Sequence, residues 1–412
     1  GITVLILLWF ACLIFVWWKG ADFVFGEYKP FETLAGRWLT TAILIIVAIV
    51  FISWKMIQRL KTLEARQQED KKKQHNPIRE EIETQRRYLD HWVNKFKRII
   101  ERQDYQYVLP WYIALGIEDS GKKTLLKEGG RFVELYDSGE GAGEHVHFKL
   151  LSNEQAVILC PEHTLIAQQD NIENKPYLYS KLWNQLLNWT AESRPRQPLN
   201  GIILTIDLYQ LVISNKEQKD QYIKQLHQRL NEILAITQAE LPIYVIMTKL
   251  DRFYGFESIY ETLTSAQKEA VLGVTFDING ATEWKLELQS FWQDWLSQMN
   301  AMMPALLFRD NLEKQNQIFS YIRQLSTAIE VICPFLEQLI ANGGKSFHFF
   351  KGVYLTSSTQ TGKIDNVFVQ SASEQYQLGL QTYSTWAVKN TQPYFSYTLF
   401  KEVLFSFPNL AK

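Results

Sequence analysis

The chain has 412 residues, which is enough for two or more domains and a large core. Its formal net charge of −1 gives no global basic field, so we expect no nucleic-acid partner. The three cysteines lie far apart and form no C-x-x-C pair, which predicts neither a disulfide framework nor a cysteine zinc site. We therefore expect reduced thiols in a cytosolic domain and no metal site.

Two uncharged apolar stretches at the N-terminus predict a transmembrane hairpin in residues 1–54. Residues 2–18 and 38–54 carry no charge, and each is close to the minimum of about 17 residues for a spanning helix. Tryptophans stand at the ends of both stretches, where interface anchors occur. A cleaved signal peptide is disfavoured, because no small-residue cleavage site follows the first stretch and a second apolar stretch does.

Basic residues orient the hairpin. The link at 19–37 mixes both signs of charge, whereas seven lysines and arginines stand between residues 55 and 73. The positive-inside rule then places residues 55–412, the bulk of the chain, in the cytoplasm.

Residues 55–103 are predicted as a charged linker followed by an amphipathic juxtamembrane helix. The linker runs to about residue 83, and from Tyr88 onward apolar residues recur at spacings of three and four. This helix lies either on anionic lipid or, as we favour, against the soluble domain.

A segment that begins at Gly116 resembles a phosphate-binding loop. The pattern G-x-x-x-x-G-K-[ST] is met by Gly116, Gly121 and Lys122, but Lys123 stands where a serine or threonine should bind Mg²⁺, and Thr124 follows it. In an intact loop, backbone N–H groups cradle the phosphates and the lysine reaches the terminal ones. The sequence therefore predicts a degenerate loop without the metal-binding hydroxyl.

Short apolar runs alternate with helical periods around this loop. They predict an α/β domain at 104–284, with a mostly parallel, doubly wound sheet of the P-loop, GTPase-like kind. The expected helix lies near residues 226–234, and the expected strands are 108–115, 131–136, 146–151, 156–160, 201–206 and 242–248.

The tetrapeptide T-K-L-D at 248–251 matches the [NT]-K-x-D motif of GTPases. In that motif the aspartate, here Asp251, accepts both N–H groups of guanine, and the lysine stem, here Lys249, covers the base. Thr248 ends a predicted strand, and ligands of such sheets bind at the carboxyl ends of strands. The alternative is a polar turn that caps the next helix.

The expected D-x-x-G segment, which holds the Mg²⁺ shell in GTPases, is absent. The strand at 156–159 leads instead into Cys160, Pro161, Glu162 and His163. With Lys123, two magnesium contacts are lost, which should cripple hydrolysis unless Lys123 replaces the charge of the metal. A metal site or a Cys–His nucleophilic pair in this segment is disfavoured, because no third partner is visible. We predict no catalytic and no metal-binding residue.

Several stretches together resemble the IcmF/TssM family, the inner-membrane proteins of type VI and of Dot/Icm type IVB secretion systems. The most distinctive is R-P-R-Q-P-L-N-G at 194–201. The others are L-P-W-Y-I-A-L-G at 109–116, I-I-L-T-I at 202–206, T-K-L-D at 248–251, V-L-G-V-T-F at 271–276 and K-G-V-Y-L-T-S-S-T-Q at 351–360.

The resemblance implies an inner-membrane location and an N-terminal transmembrane helical hairpin. A GTPase-like doubly wound P-loop domain then continues into a helical extension and C-terminal segment at 285–412. Family members also continue into a third span and a periplasmic region, for which no third apolar stretch is visible here. The implied partners are DotU/IcmH, the counterpart of TssL, and other core components. Lys123 and Cys160 depart from the usual type VI pattern, which favours the Dot/Icm branch.

The expected function is structural: the chain stabilises the secretion complex together with DotU/IcmH through a degenerate NTPase-like domain. The alternative is a TssM-like protein of type VI secretion that acts as a GTP- or ATP-binding switch or as an NTPase. No cofactor is expected under the first hypothesis, and GTP or ATP under the second. The nucleotide-binding residues, if retained, are Gly116, Gly121, Lys122, Lys123, Thr124, Thr248, Lys249 and Asp251.

Overall fold

The computed structural model divides the chain into two compact units, Gly1–Asn76 and Pro77–Lys412. The residues that it describes are 2–19, 33–74, 77–101, 104–134, 146–169, 175–261, 263–276, 284–309, 311–341, 350–358, 360–364, 386–390, 393–406 and 408.

The first unit is a pair of helices, α1 (Ile2–Trp18) and α2 (Leu34–Gln74). Trp9 donates its indole N–H to the carbonyl of Leu44 at 3.1 Å. Eight residues further along α1 and six residues back along α2, Trp17 packs edge-on against Trp38 at a ring-centroid distance of 5.5 Å. The contacts move forward along α1 and backward along α2, so the two helices run antiparallel.

One described helix, Leu34–Leu63 within α2, is long and apolar enough to cross a membrane. The second predicted span therefore lies in a helix of sufficient length. The first predicted span overlaps a shorter apolar helix, Trp9–Trp18 within α1, so its crossing of the membrane stays a prediction. Beyond the apolar part, α2 continues as helix to Gln74 through the predicted charged linker. Lys, Glu, Gln and Arg dominate there, and all four are strong helix formers.

The second unit is built on an eight-stranded mixed sheet with strand order β2-β3-β4-β1-β5-β6-β8-β7. Strands β4, β1, β5, β6 and β8 are parallel, and the edges β2, β3 and β7 are antiparallel. The strands are β1 (Trp111–Leu115), β2 (Val133–Glu134), β3 (Phe148–Ser152), β4 (Val157–Pro161), β5 (Gly201–Asp207), β6 (Ile243–Thr248), β7 (Gly273–Thr275) and β8 (Phe350–Leu355). A separate antiparallel pair is β9 (Gln360–Ile364) with β10 (Trp386–Asn390).

The predicted mixture of helices and strands is confirmed, and each predicted strand overlaps a strand of the sheet. Every residue of β1, β4, β5 and β6 is buried. Parallel strands that are covered on both faces are continuous apolar runs, which is why the sequence revealed them. The identity of the domain as a doubly wound P-loop fold stays a prediction.

Helices cover the two faces of the sheet unequally. Most of them pack on one face, in the larger of two hydrophobic clusters. The helix that begins at Lys122 and the π-turn at Leu399–Leu404 pack on the other face. The helices are α3 (Pro77–Ile100), α4 (Tyr105–Val108), α5 (Lys122–Thr124, continued by a π-turn at Leu125–Gly129), α6 (His163–Ala167), α7 (Leu178–Ser193), α8 (Leu208–Ile213), α9 (Lys216–Thr237), α10 (Phe256–Tyr260), α11 (Ser265–Glu269), α12 (Trp284–Arg309), α13 (Leu312–Ala341) and α14 (Leu399–Leu404, a π-turn).

Helix α3 is the predicted amphipathic helix, and it packs on the sheet. Leu89, Trp92 and Phe96 are buried, and the Trp92 ring meets Trp111 of β1 edge-on at 5.5 Å. These side chains form the apolar face that the spacing predicted. Of the two alternatives, packing against the soluble domain is the one that the structure shows.

The segment predicted as helical extension and C-terminal segment contributes to the sheet as well. Helices α12 and α13 account for the helical spacing, and β8 then joins the sheet beside β6. Farther along, α14 packs on the face opposite α3, where Phe400 lies 6.0 Å from Phe132 and Tyr112 donates its hydroxyl to the carbonyl of Leu404 at 3.2 Å. The aromatic C-terminal segment is thus part of the core.

Candidate functional site

The candidate site lies at the carboxyl ends of the parallel strands, where ligands of open α/β sheets bind. The loop of residues 116–121 follows β1, and the Pro161–His163 segment ends β4. The registers Leu115↔Leu204 and Asp207↔Thr248 bring the ends of β1, β5 and β6 side by side.

The structure favours glycine at both predicted loop positions, Gly116 and Gly121. A Cβ on Gly116 would clash with the Thr205 and Ser120 hydroxyls and would lie 2.9 Å from the Thr205 carbonyl. Gly121 has a φ of 73°, in the left-handed region that favours glycine. The loop is therefore closely packed against β5 at one end and sharply turned at the other.

Hydroxyl groups fasten the loop to its neighbouring strands. Thr248 donates to the carbonyl of Ser120 at 2.6 Å. Thr205 donates to the carbonyl of Leu115 at 3.0 Å, and its oxygen lies 3.2 Å from the Ser120 hydroxyl. The structure thus brings the degenerate loop and the T-K-L-D segment into direct contact, as their positions in the chain predicted.

Lys122, the predicted phosphate-binding lysine, is buried and donates a hydrogen bond to the carbonyl of Pro161, the last residue of β4. Burial lowers the pKa of Lys122, because desolvation disfavours the ammonium form. The amine is therefore held by the segment that replaces D-x-x-G.

Lys123 makes an ion pair with the same segment. Its Nζ atom lies 2.9 Å from Oε1 of Glu162, whose other carboxylate oxygen is 4.0 Å from Nδ1 of His147. The next residue, Thr124, ends α5 and is half-buried. Lys123, at the position where a hydroxyl is expected, thus contacts Glu162 in the segment that stands where D-x-x-G was expected.

The lysine and aspartate of T-K-L-D have separate environments. Lys249 has a φ of 64°, and its amine lies 2.7 Å from the Asp207 carboxylate at the end of β5. Asp251 is 2% exposed and accepts a hydrogen bond from the Ser357 hydroxyl at 2.5 Å. Burial raises the pKa of Asp251 to about 6, although the hydrogen bond from Ser357 acts in the opposite direction and lowers it.

Sequence reasoning missed Thr205, Asp207 and Ser357. Asp207 also caps α8, because its carboxylate accepts the N–H of Gln210 at 2.9 Å. Ser357 follows β8 and pairs through its backbone with Tyr394. The position of Asp207 directly after a predicted strand could have indicated it as a site residue. Ser357 could not be found in this way, because its place depends on where β8 joins the sheet.

The chemistry considered for the Cys160 segment gains no support. Burial raises the pKa of the Cys160 thiol, which opposes the thiolate form that a nucleophile needs. Across the described ranges, no group of three or more His, Cys, Asp or Glu side chains is placed to hold a metal ion.

The R-P-R-Q-P-L-N-G segment lies at the opposite ends of the strands and has a structural role. The buried Arg194 guanidinium stacks over Trp111 at 5.1 Å and Tyr107 at 5.2 Å. The side-chain oxygen of Asn200 accepts hydrogen bonds from the backbone N–H of Trp111 at 2.8 Å and from Arg194 at 3.2 Å, and its amide group donates to the carbonyl of Pro408 at 2.6 Å. The segment thus joins the starts of β1 and β5 to the C-terminal part of the chain.

Comparison with known proteins decides the family. Residues 179–412, more than half of the chain, match the IcmF-related N-terminal domain. The chain belongs to the IcmF-related family. The part that matches contains T-K-L-D, Ser357 and the R-P-R-Q-P-L-N-G segment, but not the loop at 116–121.

A curated relative of this IcmF-related chain is the type VI secretion system component TssM1 of Pseudomonas aeruginosa. The two are 24% identical over 340 residues, which cover 79% of this chain and 30% of the relative. The chain therefore spans about a third of the length of that relative.

Proposed function

We propose that this IcmF-related chain is a structural component of a bacterial secretion system, held in the inner membrane by its N-terminal helices. Its α/β unit acts in the cytoplasm as an interaction platform without NTPase activity. Family membership and the likeness to TssM1 support the secretion role, and the apolar part of α2 supports the membrane location.

The observation that carries the platform role is the Lys123–Glu162 ion pair. An NTPase of this kind needs a hydroxyl after the loop lysine and an aspartate after the neighbouring strand to hold magnesium. Here those positions carry Lys123 and Cys160. Lys123 pairs with Glu162, two residues after Cys160, while Lys122 donates a hydrogen bond to the carbonyl of Pro161. The charges that would act on a phosphate are engaged within the chain.

The partner under this proposal is an inner-membrane protein of the DotU/IcmH or TssL kind, together with other core components. Lys123 and Cys160 favour the type IVB Dot/Icm branch, whereas the likeness to TssM1 favours a type VI system. Purification of the chain with its native membrane partners, followed by mass spectrometry, distinguishes the branches by the set of core proteins recovered.

The decisive experiment replaces Lys122 with alanine in the native secretion system. A platform should keep secretion and partner binding when the protein level is unchanged. Calorimetry on the full chain in detergent, with GTP or ATP and with or without Mg²⁺, should show no saturable binding. Loss of secretion by a stably produced Lys122→Ala protein would sink the proposal.

The second candidate is a nucleotide-binding switch without fast hydrolysis. It is favoured by the intact T-K-L-D segment, in which Asp251 is held by Ser357 and Lys249 by Asp207. The binding residues would be the predicted set of Gly116, Gly121, Lys122, Lys123, Thr124, Thr248, Lys249 and Asp251. Saturable, guanine-selective binding that Asp251→Ala abolishes would support this candidate over the platform.

A further inference from the structure

A groove of about 680 Å³ lies within the Pro77–Lys412 unit, at the side of the sheet where β2 forms the edge. The end of α3 forms one wall, and α14 with the turn at 129–131 forms another. Apolar side chains line its floor: Phe96 and Phe400 are buried, whereas Ile99 and Val133 remain 59% and 60% exposed. The groove thus offers apolar surface that the described residues leave open to solvent.

Two cations stand together at this groove. The Arg131 guanidinium lies 4.4 Å, and the Lys401 amine 5.6 Å, from the centroid of the same ring, that of Tyr397. Within the described ranges, neither cation forms an ion pair, and Glu154 is the one carboxylate that lines the groove. Both cations are held near the same ring, and an incoming anion would be attracted to both.

Hydrogen bonds and close packing hold the walls of the groove in place. Asn153 donates to the carbonyl of Gly130 at 2.9 Å, and Gln155 donates to the carbonyl of Lys401 at 3.1 Å. A Cβ on Gly129 would lie 2.7 Å from the Cβ of Ser396, so the turn packs directly on the C-terminal segment. A partner would find a preformed surface, which lowers the entropic cost of binding.

We propose that this groove binds a segment of a partner protein in which large apolar side chains stand next to one or more carboxylates. The apolar floor provides the area that an interface anchor buries, and Arg131 and Lys401 provide charge complementarity at its rim. A small free anion would use the two cations but not Ile99 and Val133. The proposal rests on the platform role and names the surface that this role would use.

The test is photo-cross-linking in cells that make the complete secretion system. The photoreactive amino acid p-benzoylphenylalanine replaces Val133, whose side chain is largely exposed. We expect a cross-link to a segment of another protein that contains both acidic and large apolar residues. The charge reversal Arg131→Glu/Lys401→Glu should lower its yield about tenfold, because it replaces attraction with repulsion. The matched control Lys127→Glu/Lys216→Glu changes two exposed lysines outside the groove and should leave the yield unchanged.

Several results would overturn the proposal: no cross-link, a cross-link only to lipid, to a second copy or to this chain itself, or a partner segment without carboxylates. A yield that survives the charge reversal would overturn it too. Should the reversal lower the melting temperature, Arg131→Gln/Lys401→Gln provides the same test without new acidic charge. The cross-linking yield does not depend on nucleotide binding, so this experiment tests the groove independently of the proposed lack of NTPase activity.

Discussion

The Nζ atom of Lys123 lies 2.9 Å from Oε1 of Glu162, although 39 positions separate the two residues in the chain. Lys123 departs from the nucleotide-binding motif, and Glu162 belongs to the segment that stands where D-x-x-G was expected. Together they form an ion pair beside the loop at the end of β1. The charge of Lys123 is therefore engaged within the chain, which is the basis for the proposed platform role.

This pair should contribute little to stability. The Lys123 side chain is 46% exposed, so water and salt screen its attraction to Glu162. A double-mutant cycle with Lys123→Ala and Glu162→Ala should give a coupling energy below about 1 kcal/mol that falls at high salt. Urea unfolding measures it, with the pair Lys285–Glu337, whose carboxylate is more exposed, as the comparison. A salt-independent coupling well above that value would contradict the expectation.

Replacing Gly116 should destabilise the fold through steric overlap. An alanine Cβ would clash with the hydroxyls of Thr205 and Ser120 and approach the Thr205 carbonyl to 2.9 Å. We expect Gly116→Ala to lower the free energy of unfolding by about 1–3 kcal/mol, the usual cost of forcing an extra group into a packed site. Glu118→Ala, at an exposed position of the same loop, should stay within about 0.5 kcal/mol of the wild type. Equal midpoints in urea for the two variants would show that the loop relaxes freely.

The strands of the sheet were predictable because a buried parallel strand is a continuous apolar run, as at 201–206 and 242–248. The same logic placed T-K-L-D beside the loop. The contacts that complete the site were not predictable. Lys123–Glu162 and Asp251–Ser357 join positions that are 39 and 106 residues apart. No local period encodes such distances, which depend on the order in which strands pair.

The structural role of the R-P-R-Q-P-L-N-G segment was not predictable from the sequence either. It is the most distinctive stretch of the resemblance, but the sequence alone did not indicate what it does in the fold. In the structure, Arg194 and Asn200 organise the starts of β1 and β5. Asn200 accepts hydrogen bonds from the buried backbone N–H of Trp111 and from Arg194, so these two donors have acceptors. This most distinctive stretch thus lies at the opposite ends of the strands from the residues that would bind nucleotide.

Ser357→Ala should destabilise the unit more than Ser358→Ala. The Ser357 hydroxyl donates to a buried carboxylate, and a hydrogen bond to a charged group is worth about 1.5–3 kcal/mol. The Ser358 hydroxyl is buried without a hydrogen-bond partner among the described residues, so its removal should cost much less. Urea unfolding of both variants at pH 7 makes the comparison. Equal losses would show that Asp251 finds another donor when Ser357 is removed.

The contribution of Asp251 to the free energy of unfolding should fall as the pH rises from about 4 to 6. Burial raises the pKa of Asp251 from 3.8 to about 6, so the folded chain binds more protons than the unfolded chain within this range. The contribution is fully favourable below the unfolded pKa and is lost as the pH rises through the folded one. A shift of about two pH units corresponds to about 3 kcal/mol as an upper limit. Asp251→Asn removes this titration, so the gap between variant and wild type in the free energy of unfolding should widen in favour of the variant from pH 4 to pH 7. A gap for Asp251→Asn that stays constant across the range would mean that Asp251 titrates alike in the folded and unfolded chains.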